Sequence, residues 1–291
     1  MSKTMSKTIS KTNTKVALYN NNPHERDKGI KFYERYHKYE VLKEKYQKYI
    51  SVTTWVHSHF PKFDADAIIK SMMNGKGWVP GHKYWGLTPD EIKATWNNTR
   101  DSSAGAGTNL HETIEKFMNN NDLASGYTQT ELYDAYEKTN GKSNDNIEWS
   151  YFIQFVKDHP HLKPYRTEWI IYQEDVKIAG SVDMVYENPD GTLEIYDWKR
   201  CKEITTVNNW NQTATNPIIC HMPSSNFWQY ALQLNTYKKI IEDKYGKKVT
   251  KLCLVRLHPD NPDETYELIE VPDLSEDICN LFEERLKSIL K

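Results

Sequence analysis

Cysteine is scarce in this chain, and its spacing excludes several classes of protein. The cysteines are Cys201, Cys220, Cys253 and Cys279. They are not spaced as a disulfide framework or a zinc motif requires, so a reducing compartment is expected. Long apolar runs are also missing, which argues against a membrane partner. A Gly-x-x-x-x-Gly-Lys-Ser/Thr loop is absent too, so the sequence predicts no nucleotide cofactor.

A strong net charge is equally lacking. The 38 Lys and Arg residues nearly balance the 40 Asp and Glu residues, which leaves a formal net charge of −2 at pH 7. This balance does not exclude a nucleic-acid partner, because local patches rather than the total charge steer binding. The apolar share of 38% suffices for a core, whereas a mean hydropathy of −0.80 indicates a polar surface.

The sequence divides into three predicted parts. Residues 1–24 carry a tandem Ser-Lys-Thr repeat without an acid. This pattern favours a disordered basic tail, with a targeting peptide as the alternative. Residues 25–100 are predicted to form a mostly helical cap that includes a short hairpin within 28–50. Residues 101–291 are predicted to hold the core.

Helix-capping signals mark several starts. Ser51 and Asp64 each precede a predicted short helix, and Thr88 is followed by Pro and two acids, a strong start signal. A separate helix is predicted over 103–119. Two glycines near its start weaken it there, but they would let another backbone or a nucleic-acid strand approach closely.

The remaining pattern predicts an α/β fold, in which a mixed sheet is flanked by helices. Strands are predicted near 166–174, 177–187, 193–200, 250–258 and 264–271, and helices over 225–244 and 274–290. Residues 121–146 indicate a surface excursion around a short helix at 129–138. Residues 201–224 indicate a long polar loop with few structural demands.

Four charged residues stand on three successive predicted strands. Asp197 and Lys199 are two positions apart, so they project to the same side of a strand while Trp198 turns away. Glu168 and Asp183 add carboxylates from the two preceding strands. Such a group can hold a divalent metal and neutralise a phosphate, which indicates a phosphodiester-cleaving site. The alternative is a structural ion pair on an edge strand.

Each charged residue has an expected role. Phosphodiester hydrolysis needs an activated water and charge relief, which Mg²⁺ or Mn²⁺ can supply. We expect Asp183 and Asp197 to be core metal ligands and Glu168 to extend the acid cluster. Lys199 is expected to orient or deprotonate the water and to stabilise the transition-state charge. His111 is expected to bind a second ion, although a structural histidine is the alternative.

A polar stripe occupies the long predicted helix 225–244. Gln229, Gln233 and Tyr237 repeat every four residues, so they share one face, opposite the apolar one. The stripe either positions substrate and catalytic groups or is a solvated helix face.

In this order, these residues resemble the motifs of RecB-type nucleases of the PD-(D/E)XK superfamily. The matching motifs are His111, Glu168, Gly180-x-x-Asp183, Asp197-x-Lys199 and Gln233-x-x-x-Tyr237. The segments beginning at Ser51, Gly107 and Asp197 look most like mitochondrial genome maintenance exonucleases and their viral relatives. The resemblance covers about 50–240.

The resemblance implies a PD-(D/E)XK restriction-endonuclease-like core and a metal-dependent exonuclease. Its substrate would be free single-stranded DNA ends in replication, recombination or repair. It further implies one or two Mg²⁺ or Mn²⁺ ions, held by His111, Asp183, Asp197 and the main-chain carbonyl of Trp198, with Lys199 as the catalytic lysine. The family tendency is a monomer. The expected location is an intracellular reducing compartment, namely the cytoplasm, the nucleus or a viral factory, with the mitochondrion as an alternative.

The resemblance also assigns surrounding roles. Glu168 would assist at the metal or water, while Gln233 and Tyr237, with Gln229 beside them, would position substrate. Some relatives carry an iron–sulfur cluster, but no cysteine precedes His111, so none is expected here.

The cap would form a passage for the DNA end. Candidate base-stacking side chains there and beyond are Trp78, Trp85, Trp96 and Trp210. Ordinary aromatic packing is the alternative for each. Two other functions stay open: a structure-specific or RNA-directed endonuclease, and a nucleic-acid-binding scaffold with an inactive nuclease fold.

Overall fold

The computed structural model describes residues 17–120, 123, 126–138, 146–208 and 210–290. Its helices are α1 (Ala17–Asn21), α2 (Val52–His57), α3 (Ala65–Met73), α4 (Pro89–Met118), α5 (Gln129–Lys138), α6 (Ile147–Asp158), α7 (Asn226–Tyr245) and α8 (Ser275–Ile289). Its strands are β1 (Ile30–Tyr33), β2 (Lys38–Val41), β3 (Ile50–Ser51), β4 (Pro164–Gln173), β5 (Ile178–Glu187), β6 (Leu193–Lys199), β7 (Val249–Arg256) and β8 (Glu267–Glu270). Short 3₁₀ helices occupy Glu25–Gly29, Glu34–Tyr36, Leu42–Glu44 and Pro217–Ile219.

Six of these strands form one mixed sheet with β5 near its centre. Strand β5 is antiparallel to β4 along one edge and to β6 along half of the other edge. Strand β3 extends that second edge by a parallel pairing at Ile178 and Ala179. Strand β7 then runs parallel to β6, and β8 runs antiparallel to β7. The predicted mixed sheet is therefore confirmed.

Helices cover both faces of the sheet. On one face, α2, α7 and α8 bury a core that includes Trp169, Val182 and Leu254. On the other face, the end of α4 packs with α5 and α6 against a core that includes Met184 and Trp198. The prediction of flanking helices is thus confirmed. Among the described residues, no helix is long and apolar enough to cross a membrane.

The predicted disordered tail is too long at its C-terminal end. Residues 1–16, which carry the Ser-Lys-Thr repeat, lie outside the described residues. Residues 17–24 are ordered, because Leu18 is buried and its backbone N–H donates to Asn119 Oδ1 (3.0 Å). The side chain of Asn22 also donates to the carbonyl oxygen of Tyr165 on β4 (2.9 Å).

The prediction of a mostly helical cap over 25–100 is wrong for its first half. The expected hairpin is confirmed as β1 and β2, but it packs on the sheet through Ile30 and Val41. Strand β3 joins the central sheet, and α2 buries Val52 and Trp55 in the main core. These apolar side chains are buried against the sheet and against α7 and α8, so this segment belongs to the core.

The two helices predicted on either side of residue 102 are one helix. Helix α4 has 30 residues and begins at the predicted cap Thr88, which forms a capping box with Glu91. It continues through Gly105 and Gly107, where an added Cβ would meet no described atom within 4 Å. The glycine penalty of about 1 kcal/mol each does not outweigh the cooperative hydrogen bonding of so long a helix.

Two other segments differ from expectation. Helix α6 was not predicted, although its Phe152 and Phe155 are fully buried. The loop over 201–224 has more structure than predicted, since it buries Ile219 and Met222 in the main core. Helix α6 had a local signal, because its buried Trp149, Phe152, Phe155 and Val156 recur at helical spacing. In the loop the apolar residues are too few for periodicity to indicate their burial.

Candidate active site

The site lies where two central strands separate. The pairing of β5 with β6 reaches Met184 and Tyr196, and Asp183 and Asp197 are the next residues on the two strands. Beyond this point the backbone groups of Trp198 face side chains instead of a neighbouring strand. The Trp198 N–H donates to Asp183 Oδ2 (3.1 Å), and the Trp198 carbonyl accepts from His111 Nε2 (2.9 Å).

One imidazole and two carboxylates converge beside this fork. Ligand atoms of His111, Glu168 and Asp183 all lie within 4.8 Å of one another. His111 Nδ1 is 3.7 Å from Glu168 Oε1 and 3.5 Å from Asp183 Oδ2. The hydroxyl of Ser181 donates to Glu168 Oε2 (2.9 Å), which orients this carboxylate. The structure therefore brings three of the predicted site residues together.

The backbone is irregular at the two carboxylates. Glu168 has φ 43°, a left-handed conformation in the middle of β4. Across from it, Val182 and Met184 belong to opposite cores although they are two positions apart, so β5 breaks its alternation at Asp183. Left-handed backbone costs a non-glycine residue about 1–3 kcal/mol and concentrates at functional sites.

A buried lysine forms the other half of the site. Lys199 Nζ lies 2.5 Å from Asp197 Oδ2, so the same-face prediction for these two residues agrees with the geometry. The ammonium also lies 4.3 Å from the ring centroid of Tyr230 and donates to Gln233 Oε1 (3.4 Å). The Gln233 amide in turn donates to Tyr237 Oη (3.1 Å). Two residues of helix α7 thus fix the position of the Lys199 ammonium.

The electrostatics of the cluster follow from burial among like charges. Burial, followed by the charge of Asp197, raises the pKa of Asp183 to about 7. Burial lowers the pKa of His111, but the charges of Asp183 and Glu168 outweigh it and raise the value to about 9. Burial similarly lowers the pKa of Lys199, yet Asp197 and Asp183 raise it overall, which keeps the ammonium charged.

The donor set fits a divalent cation. Mg²⁺ and Mn²⁺ favour oxygen ligands with an occasional imidazole, and His111, Glu168, Asp183 and the Trp198 carbonyl supply that mixture. His111 Nε2 is hydrogen-bonded to the Trp198 carbonyl (2.9 Å). Its Nδ1 faces Asp183 Oδ2 (3.5 Å) and Glu168 Oε1 (3.7 Å), so Nδ1 is the imidazole nitrogen that would bind the ion.

Asp197 has Lys199 as its charged partner. Its carboxylate is buried, and neither oxygen has a directional hydrogen bond within the described residues. The short Lys199 contact supplies charge without hydrogen-bond geometry. Asp197 does not belong to the three-residue cluster around His111, so the structure separates the predicted metal ligands into two neighbouring groups.

Gln229 and the four tryptophans predicted to stack on bases lie in other parts of the structure. Gln229 is half-buried on α7, one turn before Gln233. Trp78 and Trp85 lie between α3 and α4 and are in ring contact (5.7 Å), whereas Trp96 lies on α4. Trp210 is 76% exposed on the loop before α7.

Several site residues were not predicted from the sequence. Ser181 is two positions before Asp183 on a predicted strand, and Tyr230 shares the face of Gln233 by helical spacing, so both had a signal in the sequence. Tyr39 had none. It comes from the β1–β2 hairpin, and burial together with the charge of Glu168 raises its pKa.

Comparison with known proteins adds little to this geometry. No protein-family model matches the chain, and no curated protein sequence matches it. The crystal structure of SSO0001 is similar over 83% of this chain and 76% of its own, at 15% identity and a TM-score of 0.31. A protein from Eubacterium rectale, provisionally named an exonuclease, is similar over 58% of this chain and 68% of its own, at 12% identity and a TM-score of 0.27.

Proposed function

We propose that this protein is a metal-dependent phosphodiester hydrolase of the RecB-like PD-(D/E)XK type. Its proposed activity is that of a single-strand DNA exonuclease in replication, recombination or repair. One observation carries the proposal: a cluster of His111, Glu168 and Asp183 shares a strand fork with the buried Lys199–Asp197 pair. A structural ion pair alone would not need the left-handed Glu168 backbone, nor a buried Asp197 Oδ1 without a hydrogen-bond partner among the described residues.

The proposed mechanism assigns distinct work to the two halves of the site. His111, Glu168, Asp183 and the Trp198 carbonyl would hold Mg²⁺ or Mn²⁺, with Asp197 next to them. Such an ion lowers the pKa of water and relieves charge on a phosphate. Lys199 donates hydrogen bonds to the charge that develops on the phosphoryl oxygens. Its raised pKa favours this charged role over that of a base.

Helix α7 keeps the lysine in place for that role. Gln233 accepts from Lys199 and donates to Tyr237, so it couples the ammonium to a ring that is buried in the core. Gln233 and the Tyr230 ring both contact the Lys199 ammonium. The side chain therefore loses little further conformational freedom when the transition state forms.

The preference for ends rests on the part of the chain that projects from the core. Helix α4 is about 45 Å long, and its first half buries only Ile92. Residues 61–88 pack along that half, with an ion pair between Lys93 and Asp66 and a ring contact between Phe63 and Trp96 (5.9 Å). We propose that this projection, rather than all of 25–100, forms the passage for a DNA end.

The test measures degradation of end-labelled linear single-stranded DNA and of circular single-stranded DNA, each in the presence of Mg²⁺ or Mn²⁺. We expect degradation of the linear form only, and complete inhibition by a chelator. Lys199→Ala is expected to lower kcat at least about 100-fold, because one positioned donor to the developing charge is lost. Binding to single strands should persist.

Matched controls define the alternatives. Lys287→Ala removes an exposed lysine on α8 and should leave turnover unchanged. Cleavage of the circle would replace the exonuclease proposal by an endonuclease. Cleavage of RNA alone would change the substrate. Turnover retained by Lys199→Ala would refute the catalytic assignment, and binding without any cleavage would support the scaffold alternative.

A further inference from the structure

A cleft of about 380 Å³ opens beside the candidate metal cluster. His111, Glu168 and Ser181 line its inner end, the β1–β2 hairpin forms one side, and α4 around Gly107 forms the other. This volume lies within the range of about 300–1,000 Å³ that small-molecule sites occupy. At Gly107 an added Cβ would meet no described atom within 4 Å, so the helix side of the cleft is open.

The hairpin presents an aromatic ring to this cleft. Phe32 is half-buried, and its ring is 4.7 Å from the ring of Tyr39 and 5.6 Å from that of His37. His37 has φ 47° and ψ 43°, the left-handed conformation that folds the hairpin back so that these rings meet. A ring held by two neighbours offers a pre-organised surface, which lowers the entropy cost of stacking.

The negative charge of the cleft disfavours the phosphate of a nucleotide but not its uncharged base. Its lining includes the carboxylates of Glu34, Glu112, Glu115 and Glu168, and it has no lysine or arginine among the described residues. A phosphate would be repelled there unless a cation accompanied it. An uncharged base would not be repelled, and every base has a π-face that can stack on an aromatic ring.

We propose that this cleft binds the base of a nucleotide next to the cleaved phosphate, with Phe32 as its stacking platform. This inference rests on the proposed nuclease function and deepens it. The phosphate lies between the metal cluster and Lys199, and the base on the hairpin side enters the cleft. Phe32 is therefore a substrate-positioning residue outside the charged motif.

The test combines a protein change with a substrate change. The substrates are single-stranded DNA oligonucleotides, each with one abasic nucleotide at a successive position from the labelled end. For the wild type, the abasic nucleotide that would occupy the cleft should lower kcat/KM about 5- to 150-fold. Phe32→Ala should lower kcat/KM on normal DNA by a similar factor, yet show no further loss on that abasic substrate.

Three further variants separate stacking from folding. Tyr36→Ala removes an exposed aromatic ring from the same hairpin that does not line the cleft, and it should behave as the wild type. Phe32→Trp should retain the sensitivity to the abasic nucleotide. Phe32→Leu keeps apolar volume without a ring, so it should match Phe32→Ala in kinetics while melting close to the wild type.

The outcomes distinguish the base subsite from the nuclease function on which it rests. If the wild type cleaves DNA but the effects of Phe32→Ala and the abasic nucleotide multiply, the base subsite is wrong and the nuclease stands. Normal cleavage by Phe32→Ala would also refute the subsite and leave the nuclease intact. If the wild type cleaves no nucleic acid, the nuclease proposal falls and the subsite falls with it.

Discussion

At the scale of single residues, the site depends on side chains that replace a strand. The Trp198 N–H donates to Asp183, and the Trp198 carbonyl accepts from His111. Both backbone groups are therefore hydrogen-bonded where β5 and β6 separate. The same two side chains offer metal-binding atoms. A change at either one therefore affects the backbone of β6 as well as any ion.

Metal binding gives a prediction at this scale. Mn²⁺ at 100 times its Kd should stabilise the wild type by about 2.7 kcal/mol, because the ion binds the folded form. Asp183→Asn removes a ligand charge and should abolish most of this gain, which thermal unfolding with and without Mn²⁺ measures. Asp263→Asn, at an exposed loop position, should keep the full gain. An undiminished gain in Asp183→Asn would place the ion elsewhere.

At the scale of elements, Gly180 sets the distance between β5 and two helices. A Cβ at Gly180 would lie 2.7 Å from the Tyr237 ring on α7 and 2.9 Å from Val52 on α2. The glycine in the Gly180-x-x-Asp183 motif therefore has a packing reason. It lets α7 approach closely enough for Gln233 to reach Lys199.

Substitution at two glycines should have opposite effects on stability. Gly180→Ala should destabilise the fold by about 1–3 kcal/mol through overpacking, and it should reduce activity by displacing α7. Gly105→Ala lies in an open stretch of α4 and should stabilise by about 0.5–1 kcal/mol. Urea unfolding of both variants measures this. An unchanged free energy of unfolding in Gly180→Ala would mean that α2 and α7 can move apart enough to accommodate the added methyl group.

The segment that follows α2 supplies a pH-dependent contact with the loop before α7. The backbone carbonyl of His59 accepts from the backbone N–H of Thr215 (2.8 Å). The Nδ1 atom of the His59 ring faces the side-chain amide nitrogen of Asn216 (3.2 Å). Burial is the main cause that lowers the pKa of His59 below its ordinary value of 6.5. The folded protein thus favours the neutral ring, whereas the unfolded chain takes up a proton at pH 6.5.

This linkage predicts a loss of stability on acidification. The contribution of neutral His59 is complete above pH 6.5 and declines as the pH falls below that value. His59→Asn keeps an acceptor near Nδ1 but does not titrate, so its free energy of unfolding should fall less between pH 7 and pH 5. Chemical unfolding at several pH values tests this, and equal pH slopes for both proteins would exclude the contribution of His59.

At the scale of the whole molecule, the N-terminal segment is tied to the sheet by a buried ion pair. Asp27 Oδ2 is 2.8 Å from Arg166 Nη1 on β4, and both side chains are almost completely buried. Asp27 also accepts from Trp169 Nε1 (3.0 Å) and from the backbone N–H of His24 (2.9 Å). Because Arg166 is only two residues from Glu168, this contact supports the strand that carries the strained carboxylate.

Breaking that pair should weaken the whole fold. Asp27→Asn leaves the Arg166 guanidinium buried without its counter-charge, a change that costs about 3–5 kcal/mol. Denaturant unfolding gives the value. Glu283→Gln removes an exposed i,i+4 partner of Lys287 on α8 and should cost at most about 0.5 kcal/mol. If the two variants unfold alike, the pair has no role in holding the N-terminal segment.

The sequence determined the features that depend on neighbouring residues. Alternation placed Asp197 and Lys199 on one side of β6, and capping side chains marked the starts of α2, α3 and α4. The turn after β5 and the span of α5 were also predictable, because short patterns of glycine, proline and apolar residues determine them. The charged motifs also predicted residues that the structure brings together, namely His111, Glu168 and Asp183.

Only the tertiary structure decided how distant segments meet. No local pattern shows that the β1–β2 hairpin closes one side of a cleft, or that α4 passes unbroken from the site into the projection. The pairing of Asp27 with Arg166 joins residues 139 positions apart. The choice between Glu168 and Asp197 as the third member of the His111 cluster depends on where β5 and β6 separate. These features follow from long-range packing, in which burial of apolar surface outweighs local preference.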